Sequence, residues 1–248
     1  MVIFRFNTSR TLGGRSGCMV CQKQLVWYEL FPVFSYLALL GRCKGCKTKI
    51  SIQYPVVELI TGLLFAFLFL KFQDVFFLDT ISFSIVYAYY ASIFSLLIVV
   101  ATYDLKHKII PDILSIFLAG ITFLGLFFIN GSGLEGQASF GFHIPSLLDF
   151  LSGFFISVPF ALMWLISRGK WMGLGDAKLA VGLGWLLGIS NLFSGVVLSF
   201  WTGALVGIIL MIFSKKHSIK SEIPFAPFLV LGTILAFFLQ LQLFAISF

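Results

Sequence analysis

The sequence predicts an all-α polytopic membrane protein with about seven transmembrane helices and a small N-terminal segment that carries all its cysteines. Hydrophobic residues make up 59% of the 248 positions and charged residues only 11%, whereas soluble domains average about 25% charged residues. This composition excludes a soluble domain, a disordered chain and a small disulfide scaffold. We assign the formal charge of +7 to the loops of a membrane protein and expect no nucleic-acid partner.

Seven apolar runs predict helices that cross a bilayer core of about 30 Å. They are residues 55–72, 80–102, 111–130, 147–167, 178–190, 192–213 and 226–247. The run at 178–190 is short and rich in glycine, and a turn at Ser190-Asn191 is expected to end it. The chain is therefore predicted to divide into a segment over residues 1–54 and a transmembrane domain over residues 55–248.

The positions of the positive charges predict how these helices are oriented. All Lys and Arg residues except Lys71 lie in four parts of the chain, namely 1–52, 103–110, 168–178 and 214–224. The loops between these parts, at 73–79, 131–146 and 190–191, carry none. Because positive loops stay in the cytoplasm, the N-terminal segment and the three basic loops are predicted to be cytoplasmic and the C-terminus external.

The cysteines form two C-x-x-C pairs with 21 residues between them, and the pairs are Cys18 with Cys21 and Cys43 with Cys46. Two such pairs can present four thiolates to one tetrahedral zinc ion. Two disulfides or four unrelated thiols are the alternatives. A reducing cytoplasmic location and the surrounding positive charges favour zinc, because both favour free thiolates.

Two of the ten acidic residues stand out by position and local sequence. Asp104 ends an apolar run of more than twenty residues, and Asp176 immediately precedes the run at 178–190, so both are predicted at the cytoplasmic edge of the membrane. Asp176 follows Gly173 and Gly175, which allow close approach of another backbone or a substrate. Pro111 follows Asp104 by seven residues and is expected at the first position of the next helix.

Two carboxylates held close together cannot both ionise, so they share a proton and titrate as a pair. The ionised member can activate a water molecule while the protonated member polarises the carbonyl of a peptide bond. Neither G-x-S-x-G nor H-E-x-x-H occurs in the sequence. The residues therefore favour an aspartyl protease over a serine protease or a metalloprotease.

The ordered set of motifs resembles the type IV prepilin peptidases, which are intramembrane aspartyl proteases with a G-x-G-D motif. The resemblance covers nearly the whole chain. It rests on Asp104 with Pro111, Gly173-Leu174-Gly175-Asp176-Ala177-Lys178, the two cysteine pairs with their Arg15-Ser16 lead-in, Tyr54-Pro55-x-x-Glu58, and Ile223-Pro224-Phe225-Ala226-Pro227-Phe228. It identifies Asp104 and Asp176 with the family's catalytic aspartates and the four cysteines with a zinc-binding cytoplasmic domain.

The resemblance also implies substrates, a cofactor and a location. The family removes the basic leader peptide of prepilins or pseudoprepilins after a Gly, at the cytoplasmic face of the bacterial inner membrane. Many bacterial members then methylate the new N-terminus with S-adenosylmethionine, and we expect the same here, although no residue that holds this methyl donor can be identified. A non-enzymatic assembly or transport subunit with a zinc-binding head is the alternative, but it leaves the G-x-G-D motif unexplained.

Family members usually have eight helices, and the first ends in a G-S-F-x-N-V-x-I-x-R run. The start of this chain, Met1-Val2-Ile3-Phe4-Arg5, is similar to the tail of that run. The first helix is therefore expected to be missing.

The other charged residues near the membrane have simpler explanations. Asp112 and Asp149 are predicted to begin helices, where an anion is favourable, and Glu29 is expected to be solvated at the surface. Glu58 lies about one turn inside the first span, either as a helix-end charge that reaches the interface or as a group near the active or methyl-transfer site. Lys178 either reaches the interface or influences the protonation of the aspartate pair.

Overall fold

The computed structural model describes residues 16–18, 20–130, 139–170, 172–213 and 223–240. By its internal contacts the chain divides into two units, Met1–Ala66 and Phe67–Phe248. The boundary falls within the helix Gln53–Leu78. The predicted division between residues 1–54 and 55–248 stays a prediction.

The first unit contains two cysteine turns with little regular structure between them. A bridge between Gly17 and Gln24 closes the first turn, and a bridge between Arg42 and Lys49 closes the second. Each turn therefore holds one C-x-x-C pair. The helices of this unit are a 3₁₀ helix at Trp27–Leu30, α1 (Phe34–Ala38) and the start of α2 (Gln53–Leu78).

The second unit consists mainly of apolar helices. Besides the end of α2, they are α3 (Thr80–His107), α4 (Asp112–Phe128), α5 (Leu147–Ser167), α6 (Leu174–Phe213) and α7 (Ala226–Leu239). Within the described chain, α2, α3, α5 and α6 are long and apolar enough to cross a membrane, and α4 and α7 are apolar but shorter. The predicted all-helical, multi-pass membrane architecture is confirmed, and the count of seven spans stays a prediction.

Helix α3 extends beyond the predicted end at residue 102, so Asp104 lies inside its last turn and not in a loop. Lys108 ends the helix in the left-handed conformation, and its backbone N–H donates to the Asp104 carbonyl at 2.7 Å. The apolar pattern ends earlier than the helix because the backbone hydrogen bonds of a last turn do not need apolar side chains.

The predicted turn at Ser190-Asn191 is wrong. Helix α6 covers both predicted runs, and its backbone leaves the helical region only at Gly188, with φ 64° and ψ 172°. Glycine adopts a positive φ at little cost, which makes Gly188 the natural break. Asn191 is buried within the helix that follows.

Two short antiparallel strands pair with each other: β1 (Ile129–Asn130) ends the run predicted at 111–130, and β2 (Ser139–Phe140) lies in the loop predicted at 131–146. Residues 131–138 lie outside the described residues. So do most of the basic loop predicted at 214–224 and the end of the run predicted at 226–247.

Helix α6 packs against α4, α5 and α7, and small residues allow close approaches between them. A Cβ added at Gly184 in α6 would lie 2.6 Å from the Cα of Gly153 in α5. The Ser152 hydroxyl donates to the Gly184 carbonyl across the same contact, at 2.9 Å. Small residues and a hydroxyl bond are a common way for membrane helices to associate closely.

Replacing Gly184 by Ala is therefore expected to lower the midpoint of thermal unfolding in detergent. The added methyl group would overlap the α5 backbone, and such overpacking costs about 1–3 kcal/mol. Gly120→Ala is the matched control, because a Cβ at Gly120 meets no atom of the described residues within 4 Å and gains up to about 1 kcal/mol of helix propensity. Equal midpoints for the two variants would contradict the close α5–α6 contact.

Candidate active site

Asp104 projects from the last turn of α3 and is only 5% exposed. Its carboxylate accepts a hydrogen bond from the backbone N–H of Ala226, the first residue of α7. The N-terminus of a helix carries a partial positive charge and free N–H groups, so it stabilises an anion. The Ile223–Phe228 stretch, noted in the sequence as a motif, thus supplies a backbone donor to Asp104.

Asp176 lies in the first turn of α6 and is 7% exposed. Its carboxylate accepts a hydrogen bond from the backbone N–H of Gly173, and its own N–H donates to the Gly173 carbonyl at 3.2 Å. An acidic side chain that reaches back from the third helical residue to the residue before the helix is half of a capping box. The spacing from Gly173 to Asp176 therefore fixes the orientation of the carboxylate.

Asp104 and Asp176 are separated by 71 residues in the sequence, yet the segment after Asp104 contacts the start of the helix that carries Asp176. Gly175 explains part of this proximity, because a Cβ at this position would lie 3.0 Å from the Cβ of Ile110. The segment that follows Asp104 therefore rests directly on the backbone next to Asp176. The ends of α3, α6 and α7 meet here and form one site with two buried carboxylates.

Pro111 and Lys178 lie beside this site, and neither supplies a catalytic carboxyl group. Pro111 is predicted to be the first residue of α4. In the structure it is the residue before α4, and Asp112 begins the helix. The Lys178 ammonium lies 2.8 Å from the Asp112 carboxylate, and both groups are partly exposed. This ion pair joins the start of α4 to the first turns of α6, and an exposed pair of this kind contributes roughly 0–1 kcal/mol.

Glu58 belongs to the first unit, in the second turn of α2. Its carboxylate accepts a hydrogen bond from the backbone N–H of Val33 at 2.9 Å. Val33 has a φ of 60°, which is unfavourable for a β-branched residue. Glu58 thus helps to hold the strained turn that begins α1.

The four cysteine sulfurs lie within 4.8 Å of one another. The Cys18 and Cys46 sulfurs are 3.7 Å apart, and those of Cys21 and Cys43 are 4.0 Å apart. A tetrahedral zinc site with metal–sulfur bonds of about 2.3 Å has sulfur–sulfur edges of about 3.8 Å. A disulfide would need about 2.05 Å, so the cluster fits a metal ion and the cysteines are free thiols.

Thr48 prepares one of these sulfurs for a metal. Hydrogen bonds from the Thr48 hydroxyl, 3.2 Å from the Cys46 sulfur, and from the Thr48 backbone N–H lower the pKa of Cys46 to about 6. The thiolate is the form of cysteine that binds metal. The second cysteine turn therefore offers a ready ligand at neutral pH.

The expectation that Glu29 is solvated is wrong, because this residue is only 7% exposed. The 3₁₀ helix turns its side chain inward, where one carboxylate oxygen, Oε2, accepts from the Val26 backbone N–H at 3.0 Å. The other oxygen, Oε1, is buried and has no hydrogen-bond partner within the part of the chain that the structure describes. The spacing of three residues from Val26 to Glu29, as in a capping box, is the one sequence signal for this burial. The signal is weak because a capping box normally begins with Ser or Thr and not with Val.

Two family models match the chain. The model described as "Bacterial Peptidase A24 N-terminal domain" matches residues 1–72, and that described as "Type IV leader peptidase family" matches residues 91–208. The first covers all four cysteines, and the second covers Asp104 and Asp176. No solved structure matches the chain significantly.

Several curated proteins named prepilin leader peptidase/N-methyltransferase are similar over most of this chain. That of Bacillus subtilis (strain 168) is 32% identical over 224 residues, which are 90% of this chain and 81% of the relative. That of Myxococcus xanthus (strain DK1622) is 33% identical over 84% of this chain and 57% of the relative. That of Aeromonas hydrophila is 32% identical over 88% of this chain and 69% of the relative. The chain therefore belongs to the type IV leader peptidase family, in its bacterial form with the A24 N-terminal domain, as the motifs predicted.

Proposed function

We propose that this protein is a prepilin leader peptidase in which Asp104 and Asp176 act as a pair with one shared proton. The observation that supports this most directly is the meeting of two buried carboxylates from distant parts of the chain, each bound by a backbone N–H at the start of a helix. The curated relatives carry this activity in their names. A non-enzymatic assembly or transport subunit would leave the pair unexplained.

The reaction needs one carboxylate and one carboxylic acid. The ionised carboxylate takes a proton from a water molecule, whose oxygen attacks the carbonyl carbon of the scissile peptide bond. The protonated carboxyl donates a hydrogen bond to the carbonyl oxygen as negative charge develops there. When the tetrahedral intermediate collapses, a proton passes to the leaving amine and the pair again shares one proton.

The substrates we propose are prepilins or pseudoprepilins in the bacterial inner membrane, with cleavage at its cytoplasmic face. Positive charges beside both aspartates support a cytoplasmic location of the site. Lys106 and Lys108 follow Asp104 in the chain, and Arg168 and Lys170 precede Asp176. The protein then methylates the new N-terminal amine, and the relatives' names include an N-methyltransferase activity. S-adenosylmethionine supplies the methyl group.

Leader removal in membranes tests this function directly. Co-expression with a prepilin should give a product that has lost its basic leader and has gained one methyl group at its new N-terminus, as measured by mass spectrometry. A prepilin in which the Gly before the cleavage site is replaced serves as the substrate control and should stay uncut. An intact leader on the normal substrate would refute the peptidase, and an unmodified new amine would refute the methyltransferase.

The four cysteines are proposed to hold one structural zinc ion that joins the two cysteine turns. We expect about one zinc per chain in the purified protein by elemental analysis, and we expect Cys43→Ser to lose most of it and to unfold at lower temperature. Asp74→Asn lies outside the cysteine turns, keeps all four ligands and should keep its zinc. Protein without zinc, or full zinc content in Cys43→Ser, would contradict this site.

A further inference from the structure

The first unit contains a cavity of about 440 Å³ that the peptidase chemistry does not use. It lies among the first cysteine turn, the 3₁₀ helix, α1 and the first turns of α2, and Glu29, Tyr36, Lys44, Tyr54 and Glu58 are among its lining residues. Its volume is in the range of sites for small-molecule cofactors. The mixture of two tyrosine rings, two carboxylates and two lysines, Lys44 and Lys49, indicates a polar, ring-containing ligand.

Glu29 gives the strongest indication that a ligand belongs here. Its side chain is 2% exposed, and its Oε2 atom is already bound by the Val26 N–H. Among the described residues its Oε1 atom has no hydrogen-bond partner, and the Lys23 ammonium is 3.8 Å away, beyond hydrogen-bond distance. A buried carboxylate oxygen without a donor is costly, so a ligand that donates an O–H or N–H to it gains that energy on binding.

The chemistry of the lining narrows the class of ligand. A carboxylate at a nucleotide site commonly accepts from the hydroxyls of a ribose, and tyrosine rings stack on a base. The Lys44 ammonium has three donors, of which the Tyr28 hydroxyl takes one at 3.1 Å. The others can bind a ligand carboxylate. A nucleoside that also carries an amino-acid carboxylate would satisfy all three features.

We propose that this cavity binds S-adenosylmethionine, with Glu29 Oε1 accepting from a ribose hydroxyl. The assignment rests on the proposed N-methyltransferase function, which requires this methyl donor. It adds the place of binding and the residue that recognises the ribose, which the sequence motifs leave unidentified. The cavity belongs wholly to the first unit, so its occupation can be measured independently of peptide cleavage.

Binding of radiolabelled S-adenosylmethionine to the full chain in detergent tests the proposal. The wild type should bind saturably, and Glu29→Gln should raise the Kd about tenfold or more, because hydrogen bonds to charged groups are stronger than neutral ones and the amide directs an N–H at the ribose. The amide oxygen can still accept from Val26, so the turn is preserved. Asp74→Asn is the matched control, since Asp74 is an exposed acid outside the cavity, and its Kd should equal that of the wild type.

Photo-crosslinking provides a second measurement that needs no variant. Ultraviolet irradiation with the labelled methyl donor should label peptides within residues 16–58, and labelling only within residues 67–248 would overturn the site. An unchanged Kd in Glu29→Gln with normal zinc content would also overturn it, while leaving the methyltransferase function intact. Absence of saturable binding to the wild type together with an unmethylated product would instead refute the methyltransferase function itself.

Discussion

Replacing Asp176 by Asn is expected to reduce prepilin cleavage by about 10²–10⁴-fold, and Asp104→Asn should do the same. An amide has nearly the shape of a carboxyl group but can neither take a proton from water nor share one with its neighbour. The paired acid then has no partner, and the attacking water is not activated. The rate of leader removal in detergent, measured with purified prepilin, gives the size of the loss.

Two further variants make this result specific to the pair. Asp104→Asn combined with Asp176→Asn should be no slower than either single variant, because groups that act as a unit lose their function together. Asp112→Asn removes a nearby carboxylate that is exposed and whose one partner among the described residues is Lys178, so its effect should be small. Substantial cleavage by either single aspartate variant would refute the pair as the catalytic group.

The second large effect is expected at Gly175. Replacement by Ala places a methyl group 3.0 Å from the Ile110 Cβ, which displaces the segment between Asp104 and Pro111 from Asp176. Displacements of about 1 Å can cost about a hundredfold in rate when reacting groups are misplaced. We expect a loss of about ten- to a hundredfold in cleavage by Gly175→Ala with the purified substrate.

Restoring the space should restore activity. Ile110→Gly removes the Cβ and the two further side-chain atoms that the Gly175→Ala methyl group would meet, so the double variant should cleave faster than Gly175→Ala alone. Gly173→Ala is the control within the same motif, because a Cβ there would have an ordinary contact of 3.7 Å with the Asp176 carboxylate. Equal losses at Gly173 and Gly175 would mean that the contact with Ile110 does not set the geometry of the site.

Sequence alone indicates Asp104 and Asp176 as candidate catalytic residues, because the chain has few acidic residues and both of these lie at the ends of apolar runs beside distinctive motifs. The sequence also indicates the four cysteines as candidate metal ligands, because their spacing is that of two metal-binding turns. Both sets of residues can be predicted because the prediction needs only side-chain identity and position along the chain. The structure adds their proximity, which depends on how distant helices pack.

Other features of the site cannot be predicted in this way. The N–H of Ala226 binds Asp104, and a backbone donor leaves no trace in residue identity. Glu29 looks like any surface acid until the 3₁₀ helix turns it inward, and the inward direction depends on tertiary packing. The break in α6 falls at Gly188 and not at Ser190-Asn191, and the run contains other glycines, such as Gly184, at which the helix continues.

The dependence of cleavage on pH tests the shared proton most directly. If one carboxylate must be ionised and the other protonated, kcat/KM for the wild type should follow a bell-shaped curve with two apparent pKa values that belong to the pair. Activity should fall on the acidic side because neither group can act as base, and on the basic side because neither can donate a proton. A rate that rises through one ionisation to a plateau and stays there at high pH would contradict the account.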